Sequence, residues 1–266
     1  MDKSGHMGFL ADNMEVNTRI GRIAVQSRRV DSDEHPLILL HGVYFDHRLW
    51  DAVVDSIKDR TVVTLDMPLH GGSREIVKSD WTLNDCAGML LDTLDALGMT
   101  RVFAVGHSWG SMTILRAAHR RPGAFAAIGL CNMPFHAASL KTRALFGLQH
   151  ALLPFRGFYM RKAAESLFGK DSLKHDPSLI QELTRPMGSI SNREIRRVDK
   201  SVILDAEDAT GMLKSLEVPA LALKGAEDYV PTPPGIETVM VKGGHVSPLE
   251  QPKEVSLLIH RLMSAG

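Results

Sequence analysis

Val102-Phe103-Ala104-Val105-Gly106-His107-Ser108-Trp109-Gly110 runs from a four-residue apolar stretch into a serine set between glycines. A helical pattern at 111–121 follows and is closed by Pro122-Gly123. An apolar run this short, bounded by turn residues, reads as a strand buried on both faces rather than a helix. The pattern G-x-S-x-G between strand and helix carries a mechanical demand. The chain must turn sharply, hold serine in a strained conformation and aim its Oγ at the strand ends, with glycines leaving room for that approach. Ser108 is therefore the candidate nucleophile.

A serine needs a base and an orienting acid. Gly243-Gly244-His245 follows the apolar segment Glu237–Val241, and Gly225-Ala226-Glu227-Asp228 follows the run at 220–223. As parallel strands of one sheet, these segments bring His245 and Asp228 to the same edge as Ser108, the edge where open α/β sheets bind ligands. A rival acid after the run at 126–131 would sit at Asn132, which is not acidic, so Asp228 is the candidate acid.

Working outward, Leu37–Leu40 and 61–65 are further buried strands, and 14–18 with 20–26 suggest an opening hairpin. Thr82 caps a helix whose apolar residues Leu83, Ala87, Leu90, Leu91, Leu94 and Leu97 recur at helical spacing until Gly98. Pro252–Ala265 repeats the pattern at the end of the chain. Alternating strands and helices predict an α/β fold with a mostly parallel sheet and helices on both faces. Residues 132–217 break the rhythm with no convincing strand, too long for a structureless loop. Helical stripes at Leu140, Ala144, Leu145, Leu148 and Leu152, and again at 190–206, predict a helical cap over one end of the sheet. The expected organisation is a core of 13–131 and 218–266, the cap at 132–217, and a tail at 1–12. In that tail Ser4-Gly5-His6-Met7 reads as the residue of an expression tag.

Composition excludes several classes. Among 266 residues, 31 Lys+Arg balance 31 Asp+Glu, so no basic excess favours nucleic acid. No apolar run reaches the roughly 18 residues of a membrane span. Two cysteines, Cys86 and Cys131, make no disulfide framework and read as buried thiols in a reducing compartment. A cytoplasmic location is the default, and no signal-peptide pattern opens the chain. No H-E-x-x-H, C-x-x-C, P-loop or G-x-G-x-x-G occurs, so no metal or cofactor is implied. The oligomeric state is open, with a homodimer among the options.

Together these motifs resemble the α/β-hydrolase superfamily across roughly residues 14–266. The carriers are His41-Gly42, Asp66-Met67-Pro68-Leu69-His70-Gly71, Gly106–Gly110, Gly225–Asp228, and Gly244-His245 with Glu250 and Pro252. The order Ser…Asp…His is also that of α/β-hydrolases and neither protease order. The resemblance implies a Ser108–His245–Asp228 triad and an oxyanion hole made by the backbone N–H groups of Val43 and Trp109. Two departures stand out. Leu69 occupies a place where similar enzymes usually have glycine. The 17-residue spacing from Asp228 to His245 replaces the usual last crossover helix with a segment containing Pro231, Pro233, Pro234 and Gly235.

The expected activity is hydrolysis of a small carboxylic ester or lactone through an acyl-enzyme. A C–C bond hydrolase of diketo acids, an aminopeptidase and a slow-turnover ligand receptor of the same fold remain alternatives. The aminopeptidase lacks its HGGPG-type loop, as the chain also lacks the HGGG of some lipases. His107 and His41 read as structural, and Asp46 as an N-cap for 48–57. Phe135, Phe146, Phe155, Phe158 and Phe168, with Met133, Tyr159 and Met160, either line an apolar pocket or bind the cap to the core. Residues 132–200 hold 12 Lys+Arg against 6 Asp+Glu, with Arg193, Arg196 and Arg197 bunched. Solvated faces explain this simply; steering of an anionic substrate is the sharper reading.

Overall fold

The computed structural model describes residues 12–265. The tag reading at residues 4–7 lies outside them, while Asp12 already pairs with Ser27 in the first strand. Eight strands form one sheet: β1 Asp12–Asn17, β2 Arg22–Arg28, β3 Leu37–Leu40, β4 Val62–Leu65, β5 Val102–His107, β6 Phe125–Cys131, β7 Ala220–Gly225 and β8 Glu237–Val241. Their order is β1-β2-β4-β3-β5-β6-β7-β8. The hairpin β1–β2 and the β2–β4 pair are antiparallel. Every pairing from β4 to β8 is parallel. The fold is therefore α/β with a mostly parallel sheet, as the apolar runs predict.

The central strands β3, β4, β5 and β6 are buried at every position. Side chains of a strand alternate between faces. In β3, Ile38 and Leu40 join one apolar cluster, while Leu37 and Leu39 join the other. Helices α1 Asp51–Val54, α2 Leu83–Ala96 and α3 Trp109–Arg120 belong to the first half of the chain. Thr82 and Asp85 close a reciprocal capping box on α2. Asp46 caps the short helical turn His47–Trp50 by accepting from the Arg48 N–H, the role expected of it.

Between β6 and β7 lie α4 Leu140–Ala151, α5 Arg156–Leu167, α6 Lys170–His175, α7 Leu179–Gly188, α8 Asn192–Asp199 and α9 Thr210–Lys214. A π-helical turn, Lys200–Leu204, follows α8 directly. The stripe on α4 forms a helix but not a buried face: Leu140 is 86%, Leu145 50% and Leu148 65% exposed. The insert is instead held by α7 and α8, through Leu183, Met187, Ile195 and Val198, all fully buried. No helix joins β7 to β8. α10 Ser247–Glu250 and α11 Pro252–Ala265 complete the chain.

Candidate active site

Four consecutive strands of the sheet, β4, β3, β5 and β6, each run into a non-glycine residue in the left-handed region. These are Leu69 (φ 69°), Tyr44 (φ 71°), Ser108 (φ 50°) and Asn132 (φ 50°). Such conformations cost an L-residue roughly 1–2 kcal/mol each and persist only where the surroundings fix them. Among the described residues no other non-glycine shows one. Strain is thus confined to one edge of the sheet.

Ser108 sits at the tip of that edge between β5 and α3. The flanking glycines are required by contact: a Cβ on Gly106 would lie 2.3 Å from the Gly110 carbonyl carbon, and one on Gly110 2.2 Å from the Leu40 oxygen. His245 Nε2 lies 3.0 Å from Ser108 Oγ, and His245 Nδ1 lies 2.9 Å from Asp228 Oδ1. Ser108, His245 and Asp228, each predicted from a different strand end, are thus brought into one bonded series. All three are buried.

Asp228 collects more than the imidazole. Asn132 Nδ2 donates to its Oδ2 at 2.8 Å and the Val230 N–H to its Oδ1 at 3.2 Å. Burial works against the ionised carboxyl, yet bonding to His245, the charge of His245, and the donors Asn132 and Val230 hold Asp228 below its ordinary range. Asn132 is a residue that the sequence reading passed over. It sits where a rival acid would, and serves the actual one. Tyr229 lies face-on to the His245 ring, with centroids 4.8 Å apart and planes 25° apart.

The His245 loop is fastened from below. Glu250 accepts from the N–H groups of Gly244 (2.9 Å), Val246 (3.1 Å) and Gly169 (2.8 Å). The His245 N–H itself donates to Leu167 O at 2.6 Å. His107 is structural, as expected: its Nε2 donates to the His245 carbonyl at 2.7 Å. Burial first, then the neighbouring His245, lowers the His107 pKa to about 3, so the ring stays neutral.

The loop after β3 comes close to Ser108, since a Cβ on Gly42 would lie 3.1 Å from Ser108 Cβ. Val43, the expected oxyanion residue, follows Gly42 in this loop. Trp109 opens α3, where the first N–H groups of a helix have no intrahelical partner. His41 Nε2 accepts from the Met67 N–H at 2.8 Å, joining the loops after β3 and β4. His70 Nε2 accepts from the Tyr44 N–H at 2.9 Å, and its other nitrogen faces Pro68 O at 2.9 Å. Burial, then His41, lowers the His70 pKa to about 3, which keeps it an acceptor. Despite its burial, Asp66 is held down at about 2 by bonds and charge from His47 and His41 and by the Gly72 N–H.

Of the aromatic set, Phe135, Phe168, Met133 and Tyr159 are buried, but Phe155 and Phe158 are 68% and 52% exposed. The arginine cluster is largely engaged elsewhere. Arg196 donates to His150 O at 3.0 Å, and Arg197 donates to Lys78 O. Cys86 and Cys131 are buried free thiols, and burial pushes Cys131 up to about 12. Among the described residues, no three His, Cys, Asp or Glu side chains converge as metal ligands, and no helix is long and apolar enough to cross a membrane.

Comparison with known proteins bears on the fold and the family. YugF of Bacillus subtilis, an uncharacterized hydrolase, is 25% identical over 244 residues, covering 83% of this chain and 86% of its own length. A thermophilic esterase from Thermogutta terrifontis superposes with a TM-score of 0.83 at 20% identity, covering 96% of this chain and 99% of its own. The enol-lactonase of Burkholderia xenovorans reaches 0.83 at 17% identity, covering 94% and 100%. A model of the alpha/beta hydrolase family matches residues 37–256. The chain belongs to the alpha/beta hydrolase family.

Proposed function

We propose that this hydrolase cleaves small carboxylic esters or lactones through an acyl-enzyme on Ser108. The observation that carries the reading is the unbroken bond series Ser108–His245–Asp228 at the strained strand edge. His245 Nε2 takes the Ser108 proton as Oγ bonds to the substrate carbonyl carbon, and the carbonyl electron pair moves onto oxygen. The N–H groups of Val43 and Trp109 hold that oxyanion. Collapse breaks the bond to the leaving alcohol, which takes the proton from His245. Water then attacks the acyl-enzyme by the same route and releases the acid. Asp228 fixes the imidazole tautomer and stabilises its cation.

The helices between β6 and β7 act as a cap in this reading, closing over the serine and selecting the acyl and alcohol groups. The esterase and lactonase relatives of like fold support the substrate class. Engagement of Arg196 and Arg197 with carbonyl oxygens favours a neutral substrate over a dicarboxylate. The test is a rate profile over p-nitrophenyl esters, lactones and a ring-fission diketo acid. Ester or lactone turnover should lead, and Ser108→Ala should lower kcat by about 10^6-fold with KM little changed. Wild-type turnover in Ser108→Ala would overturn the assignment.

A further inference from the structure

One buried acidic group takes no part in the chemistry above. Asp199, at the end of α8, is fully buried. Its Oδ1 accepts from the Tyr44 hydroxyl at 2.5 Å, and its Oδ2 faces His150 Nε2 at 2.8 Å. The Tyr159 hydroxyl lies 3.4 Å from that of Tyr44. The four residues come from the loop after β3 and from α4, α5 and α8. Burying a carboxylate is expensive, and apolar replacements of buried ion pairs are often neutral or stabilising. Stability alone is thus a poor reason for Asp199.

Its partner supplies a better one. Tyr44 directly follows Val43, and its backbone is left-handed at φ 71°, a conformation a bulky residue keeps only when held. Three bonds hold it: its N–H to His70, and its hydroxyl with Asp199 and, more weakly, with Tyr159. Loss of the hydroxyl bonds removes part of what holds this conformation, and any relaxation at Tyr44 shifts the peptide next to the Val43 donor. The other donor residue is supported from the same helix. Trp109 stacks on Trp81 at 5.5 Å and 9°, and Arg197 of α8 lies 6.0 Å over Trp81. Glu194, also on α8, pairs at 2.8 Å with Arg74 from the loop after β4. The π-helical turn begins immediately after Asp199, and such turns are frequent at functional sites.

We propose that Tyr44 and Asp199 are positioning residues, through which seating of α8 on the loop after β3 sets the Val43 oxyanion donor. The inference rests on the ester-hydrolase reading above. An oxyanion donor acts in the transition state, so its displacement lowers kcat and leaves substrate binding nearly unchanged.

The experiment compares Tyr44→Phe, Asp199→Asn and the double variant in steady-state ester hydrolysis and in the rate of Ser108 phosphonylation by a fluorophosphonate. Losing one donor outright costs ~10^2–10^3 in kcat, so partial misplacement in Tyr44→Phe should cost ~10–100-fold, with KM within about threefold. Phosphonylation should slow by the same factor, and the double variant should be no worse than the poorer single, as coupled partners require. Melting temperature, read alongside, separates positioning from folding. Three results overturn the proposal: Tyr44→Phe within twofold of wild type in both rates, a rise in KM at constant kcat, or a loss that merely follows the folded fraction. Ser108→Ala distinguishes the two levels. If it stays active, the active-centre reading fails; if it is dead while Tyr44→Phe is fully active, only the positioning role fails.

Discussion

Two helices of twelve residues, α3 and α4, divide the molecule's character between them. α3 buries its first ten residues, from Trp109 to Ala118, against the sheet. α4 buries none. The first is specified by packing on both sides; the second is a helix by local pattern and meets other parts of the insert through polar contacts, such as His150 to Asp199 and Arg143 to Leu204 O. The sheet edge therefore carries the candidate triad on a buried support. The insert joins the rest through buried apolar residues of both clusters and through polar contacts, of which Gly169 on Glu250, Leu167 on His245 and Asp199 on Tyr44 lie beside the candidate site.

Acid is the harshest way to break this comparison, because the sheet edge carries the buried neutral histidines. His70 and His107 both have pKa values lowered to about 3, against an ordinary 6.5. Between those limits the unfolded chain binds protons that the folded chain refuses, so stability falls as pH drops through 6.5 toward 3. The two together should cost several kcal/mol. Denaturant midpoints at pH 7 and pH 4 measure the loss, and His70→Gln should shrink it; an unchanged slope would place these rings outside the folding linkage.

A middle-sized test sets the helices against each other. Leu115→Ala in α3 should cost about 2–5 kcal/mol of unfolding free energy. Leu148→Ala in α4 should stay within about 0.5 kcal/mol. Equal losses in chemical denaturation would mean that α4 is covered in solution. The smallest effect concerns Leu69, buried yet left-handed. Leu69→Gly relieves the strain that Leu69→Ala keeps, so glycine should be the milder change by about 1 kcal/mol, reversing the usual order.

The core was legible because its signals are local. Short apolar runs between turn residues mark strands buried on both faces, and glycines beside Ser108 mark the elbow. Thr82 and Gly98 marked the ends of their helix for the same reason. The insert was legible only as helical. Leucine spacing in α4 looks the same whether the face meets protein or water, and the exposed Leu140 shows which it met. The polar supports were illegible for another reason. Asn132 to Asp228 spans 96 positions and Tyr44 to Asp199 spans 155, and no local pattern encodes such pairs. Leu69 was flagged, since glycine's usual place had been taken, and the structure shows that the backbone kept the glycine conformation.

The four left-handed residues at the strand ends have an evolutionary consequence. At about 1–2 kcal/mol apiece their combined strain rivals much of the 5–15 kcal/mol that holds an ordinary domain folded. Glycine would relieve that strain, but at 44, 69 and 132 it would also delete a buried side chain, a loss of about 2–5 kcal/mol for a large residue, and at 108 it would remove the candidate nucleophile. A population evolved for both stability and activity must gather its gains elsewhere, and the exposed helix α4 offers room for them.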